Sequence, residues 1–146
     1  MPDDPSNPGS ITGLHAFVHD GSTMIDIGTL SGTLSRAFGI NNGGIVVGQS
    51  SFAGGVDDWS DTHAFLYDGG LHDLNDLLDA SGQGWTLWSA YGINDKGQIS
   101  GTGWINGVQH AFLLTAVPEP QTYALMLLGL AMLAGLSRRR RHASRA

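Results

Sequence analysis

Cysteine is absent from the 146 residues, so neither a disulfide framework nor a thiolate metal site is available to this chain. Charge is scarce as well, at 14% of residues, and it is unevenly placed. Up to residue 117 the basic residues are Arg36 and Lys96 alone, set against twelve Asp, a net of −10. Nucleic-acid affinity rests largely on Lys and Arg facing phosphate, so no nucleic-acid partner is expected. Residues 118–146 reverse the sign, five Arg and Glu119 giving +4. The sequence has no nucleotide-cradling loop, cysteine nucleophile or zinc-helix motif. Asp residues abound, yet no pair stands apart as general acid and base. The expectation is a chain that is not an enzyme and takes no cofactor. The opening Met1-Pro2-Asp3-Asp4-Pro5 is acidic and lacks the apolar core of a secretory signal peptide. Residues 1–11 read as a disordered N-terminus.

Glycine, by contrast, is abundant at 22 residues, which suits short strands joined by tight turns. His-Ala-Phe occurs three times, starting at His15, His63 and His110, with spacings of 48 and 47 residues. More of the unit recurs with it. His15-Ala16-Phe17-Val18-His19-Asp20-Gly21 parallels His63-Ala64-Phe65-Leu66-Tyr67-Asp68-Gly69. Ala37-Phe38-Gly39-Ile40-Asn41-Asn42, followed by Gly44 and Gly48, parallels Ala90-Tyr91-Gly92-Ile93-Asn94-Asp95, followed by Gly97 and Gly101. Asp26-Ile27 parallels Asp73-Leu74. Asp20-Gly21, Asp68-Gly69 and Asn42-Gly43 read as hairpin turns, with Asp95-Lys96-Gly97 the counterpart of the last.

A period of 47–48 residues lies in the range of one four-stranded propeller blade. In His63-Ala64-Phe65-Leu66-Tyr67 both faces of the strand carry apolar groups, as in a blade covered on both sides. The fold expected is therefore all-β: repeated four-stranded antiparallel blade-like units over residues 12–116, with units starting near 15, 63 and 110. Two full units and an opening strand cannot close a ring, so the arrangement expected is an incomplete propeller arc, the end of a longer array or a self-associating one.

The C-terminus is of another kind. An uncharged stretch rich in Leu, Met and Ala runs over residues 122–137 and meets Arg138, Arg139, Arg140 and Arg141. It reads as one transmembrane helix, at about 24 Å the short end of the range, with the arginines held on the cytoplasmic side. Val117-Pro118-Glu119-Pro120 precedes it, an extended and exposed strip because proline fixes φ and restricts the residue before it. Residues 142–146 form a short tail.

VPEP, the helix and the arginine cluster, in that order over residues 117–141, resemble the PEP-CTERM sorting signal of Gram-negative bacteria. The resemblance implies recognition of Pro118, Glu119 and Pro120 by exosortase, an integral-membrane protease that removes the helix and passes the body outward. It further implies transient anchoring in the inner membrane, then a place at the cell surface or outside the cell, in association with exopolysaccharide and biofilm. Residues 12–114 resemble the HAF family of probable extracellular repeats, with Thr29-Leu30-Ser31-Gly32 and Ala37-Phe38-Gly39-Ile40-Asn41-Asn42-Gly43-Gly44-Ile45-Val46-Val47-Gly48 close to its consensus. That family supplies location and β architecture but no reaction.

Three sets of side chains are candidates for binding. His15, His63 and His110 occupy equivalent places in separate units, so they suit structural hydrogen bonds better than one metal site. Asp57, Asp58 and Asp61 could offer oxygen to Ca²⁺, although their spacing matches no calcium loop and a solvated acidic loop is the commoner case; no metal is assigned. Trp59, Trp85, Trp88 and Trp104 lie in or beside the variable parts of the units, where they could stack on sugar rings or fill gaps between blades. The function expected is a structural or adhesive component of the surface or matrix. The alternatives are a carbohydrate-binding module of the exopolysaccharide matrix and a truncated fragment of a longer HAF-repeat protein.

Overall fold

The computed structural model describes residues 13–52, 59–117 and 120–143, with α-helical side chains described over 125–136. The chain forms two compact units, Met1–Thr115 and Ala116–Ala146.

The first unit is built from antiparallel hairpins. Strands β1 (Ala16–His19) and β2 (Met24–Gly28) pair as a two-stranded sheet. β3 (Ser35–Ile40), β4 (Val46–Ser51), β5 (Thr62–Tyr67) and β6 (Leu71–Asp73) form a four-stranded sheet in sequence order. Two 3-10 turns, Leu74–Leu77 and Ala80–Gly82, lead to β7 (Thr86–Ile93), β8 (Ile99–Ile105) and β9 (Val108–Leu114), a three-stranded sheet.

Equivalent turns in the second and third sheets close in the same way. Asn41 and Asn94 each accept backbone hydrogen bonds at Oδ1, from Ile45 at 3.0 Å and from Gln98 at 2.9 Å. The positive φ these turns need falls on Gly44 (77°) and Gly97 (75°), one residue beyond the Asn42-Gly43 pair that the sequence singled out. The two turns also clasp each other: the backbone N–H and side-chain amide of Asn42 donate to Asp95 at 2.9 and 2.6 Å.

The sheets pack face to face in a three-layer stack, because β4 and β5 send apolar side chains both ways. Val46 and Phe65 join Ala16 and Ile27 of the first sheet in one cluster. Val47 and Ala64 join Leu87, Ala90 and Ile99 of the third sheet in another, with Leu74 closing its side. Alternating side chains along one strand thus serve two cores. Phe65, Ala64 and Val47 are completely buried; a side chain such as Phe65 contributes about 1.5–3 kcal/mol by leaving water.

Gly48 and Gly101 mark equivalent close approaches of backbone and aromatic ring. A Cβ on Gly48 would be driven into the carbonyl oxygen of Arg36 and lie 2.8 Å from the Phe65 ring. On Gly101 it would strike the carbonyl oxygen of Ser89 and the Phe112 ring. Both glycines face a β-bulge, between Ala37 and Gly39 and between Ala90 and Gly92, and bulges redirect the strand locally.

Two expectations are corrected here. The repeating units are not four-stranded blades of a propeller arc: the described sheets have two, four and three strands and no propeller is formed. The 47–48-residue period reflects hairpins recurring in a stack, and strand count per unit is set by which strands find partners. Nor is the C-terminal segment a transmembrane helix. Helix α1 spans Pro120–Ala143, and among the described residues no helix is long and apolar enough to cross a membrane. The uncharged run over 122–137 reaches about 24 Å, short of the ~30 Å hydrocarbon core, with arginines following from Arg138.

Candidate functional site

The first two His-Ala-Phe units each build a small polar device on a largely apolar strand. His63, just inside β5, bonds through Nδ1 to the Asp73 carboxylate at 2.5 Å, across to the end of β6. The other oxygen of Asp73 accepts the Asn75 backbone N–H at 2.8 Å, capping the first 3-10 turn. Asn75 then bridges to the third sheet, donating to the Leu87 carbonyl at 3.1 Å and accepting its N–H at 2.7 Å. His15 and Asp26 repeat the device at 2.8 Å, with the Gly28 N–H on Asp26 at 2.7 Å. The Gly28 carbonyl accepts from Ser35 Oγ at 2.6 Å, so this copy too is tied to the next sheet.

Burial separates the two copies. The His63–Asp73 pair is nearly enclosed, whereas side-chain exposure of His15 and Asp26 is 43% and 64%. The His15 hydrogen bond, followed by the Gly28 N–H, holds the Asp26 carboxyl below its usual value of 3.8. The third copy is incomplete. His110 is exposed, meets the Trp85 ring edge-on at 6.3 Å, and has no carboxylate partner among the described residues.

The tryptophans do not converge. Trp59 packs under the Arg36 guanidinium, 4.1 Å from the ring centroid, as a cation–π pair. Trp85 lies against His110, on the side of Gly103. Trp88 and Trp104 alone meet, with centroids 5.8 Å apart and Trp104 40% exposed. Of the acidic candidates, Asp61 is exposed and its carbonyl accepts from the Phe52 N–H at 3.0 Å; Asp57 and Asp58 lie outside the described residues. Among the described residues no group of three or more potential ligands could hold a metal ion.

The sorting strip lies near the start of the second unit. β9 ends at Leu114, Val117 is 71% exposed, and helix α1 begins at Pro120, a position where the missing N–H costs nothing. Pro118 and Glu119 lie outside the described residues. Arg138, Arg139, Arg140 and Arg141 fall in the C-terminal third of α1, where cations complement the helix dipole. Leu125, Met126, Leu127, Leu130 and Leu133 are all 63–73% exposed, so apolar side chains leave the helix on every side.

Sequence reasoning missed two contributors. Asn75 lies two residues beyond Asp73, in the position Gly28 holds beyond Asp26, and because the two residue types differ, aligning the copies does not single it out. Asn106-Gly107 forms the hairpin between β8 and β9 with φ of 53° and 74°, a pairing that favours two-residue turns and was readable directly.

Residues 116–141 match the PEP-CTERM protein-sorting motif. A chain bearing this signal is an exported bacterial protein processed by exosortase. No curated protein and no solved structure matches the chain.

Proposed function

We propose that this chain is a non-catalytic structural or adhesive component of the bacterial surface or extracellular matrix, whose body is freed by exosortase at the Val117–Pro120 strip. The sorting motif at residues 116–141 carries the reading. The body supports it in kind: His15 and His63 are spent on bonds to Asp26 and Asp73 within their sheets, and Ser35 and Asn75 beside them tie each sheet to the next, as a spacer or scaffold requires. The recurrent His–Asp device, the paired Asn turns and the two Gly–aromatic contacts support assigning residues 12–114 to HAF-type repeats. Helix α1, apolar on every side, needs an apolar partner in water, and the processing enzyme would supply it. The test is the intact mass and location of the protein in its host, with and without exosortase. A shorter extracellular species, lost when exosortase is deleted, is the expected result; a full-length species indifferent to the deletion overturns the reading.

The Trp88–Trp104 pair favours a second reading, binding of exopolysaccharide. Aromatic faces stack on sugar rings, and Trp104 has the exposure to do so. Polysaccharide should quench Trp fluorescence in the native chain and not in Trp104→Ala; absence of quenching in the native chain sinks this role.

A further inference from the structure

The third sheet repeats the second and then stops one strand short. Ala90 opposite Gly101 and Gly101 opposite Phe112 reproduce Ala37 opposite Gly48 and Gly48 opposite Phe65. Beyond β5 lies β6, registered so that Asp73 faces Phe65 while its carboxylate reaches back to His63. Beyond β1 lies β2, registered so that Asp26 faces Phe17 while its carboxylate reaches His15. The same rule therefore holds twice: the strand following His-Ala-Phe sets an Asp opposite the Phe.

β9 carries the third copy, His110-Ala111-Phe112, and among the described residues no strand pairs with its outer edge. Phe112 is only half-buried where Phe65 is fully covered, and Leu113 is 66% exposed. An edge strand presents unpaired backbone N–H and C=O groups, and proteins ordinarily blunt it with charge or proline. Val108-Gln109-His110-Ala111-Phe112-Leu113-Leu114 has neither. The chain does not turn back locally as it does after β5: Asp68-Gly69-Gly70 leads into β6, whereas Leu114 is followed by Thr115-Ala116-Val117-Pro118.

We propose that the outer edge of β9 is a strand-addition site for an extended segment of another polypeptide with the pattern aliphatic-x-Asp-aliphatic, of which Leu71-His72-Asp73-Leu74 is this chain's own example. The incoming aliphatic residue lies opposite Leu114, as Leu71 lies opposite Tyr67, and the Asp lies opposite Phe112 with its carboxylate on His110. Backbone hydrogen bonds supply the affinity and the His–Asp contact fixes register, as in strand addition generally. The site goes beyond the sorting role and does not depend on it.

The probe is a labelled peptide of residues 70–78, Gly-Leu-His-Asp-Leu-Asn-Asp-Leu-Leu, titrated against the full chain in mild detergent by fluorescence anisotropy. Saturable binding is expected, with about tenfold loss when the peptide carries Asp73→Asn or the chain carries His110→Ala, the size of one charge-assisted hydrogen bond. His110 is exposed, so circular dichroism of His110→Ala should match the native chain, and the peptide variant tests the same contact without touching the fold. No saturable binding, equal affinity for a scrambled peptide, or indifference to both substitutions overturns the proposal.

Discussion

The second and third sheets share sequence, register, bulge and turn, yet one is enclosed and the other half open. Ala64 and Phe65 on β5 are completely buried, and their counterparts Ala111 and Phe112 on β9 are exposed and half-buried. Nothing intrinsic to the strands accounts for this. β5 has β6 beside it and β7 packed across its face, so each of its side chains meets another. The difference teaches that in a stacked repeat a unit's stability is largely lent by its neighbours, and paired substitutions can test that directly.

The largest effect should come from truncating the shared aromatic. Phe65→Ala should cost about 3–5 kcal/mol, because the cavity is walled on both sides, while Phe112→Ala should cost about 1–2 kcal/mol. Urea unfolding followed by Trp fluorescence would check the pair, and equal losses would contradict the comparison. Next come the glycines. Gly48→Ala should cost about 2–4 kcal/mol, since the Arg36 carbonyl and the fixed Phe65 ring cannot yield. Gly101→Ala should cost less, because Phe112 can swing outward, although the Ser89 carbonyl still resists. Calorimetric midpoints would rank them.

Smaller differences sharpen a second comparison, between the two complete His–Asp pairs. Asp73→Asn should cost about 1–3 kcal/mol, because it weakens an enclosed bond to His63. Asp26→Asn should cost under about 1 kcal/mol, since that pair is open to water. The smallest effect is in pH. The Asp26 carboxyl is held below 3.8 in the fold by His15 and Gly28, so its stabilisation is present above the unfolded value and disappears as pH falls through the folded one. Acid titration of Asp26→Asn should therefore fall off slightly less steeply than the native chain below about pH 4. A superimposable acid limb would remove Asp26 from the account.

Much of this was legible in the residues. The hairpins were announced by Asp20-Gly21 and Asp68-Gly69, the two-sided burial of β5 by its unbroken apolar character, and the sorting strip by its prolines and arginines. Periodicity revealed that units repeat but not how many strands each would keep, because strand number depends on partners distant in sequence. Hence four-stranded blades were expected and sheets of two, four and three strands are found. The helix was overread for another reason: a sixteen-residue uncharged run was accepted as a span, although at about 24 Å it falls short of a ~30 Å hydrocarbon core. The cross-sheet bridge of Asn75 stayed hidden because its counterpart, Gly28, uses a carbonyl where Asn75 uses an amide.

The position of β9 also dictates an order of opening. A strand paired on one side only, with little apolar cover, reaches its exchange-competent state far below the free energy of global unfolding, whereas β4 and β5 must wait for the whole stack to part. Amide hydrogens should therefore be replaced by deuterium first along residues 108–114 and last along 46–51 and 62–67. Under the proposed cleavage at the Val117–Pro120 strip, fraying of β9, the last described strand before it, supplies slack for the protease while β4 and β5 stay folded.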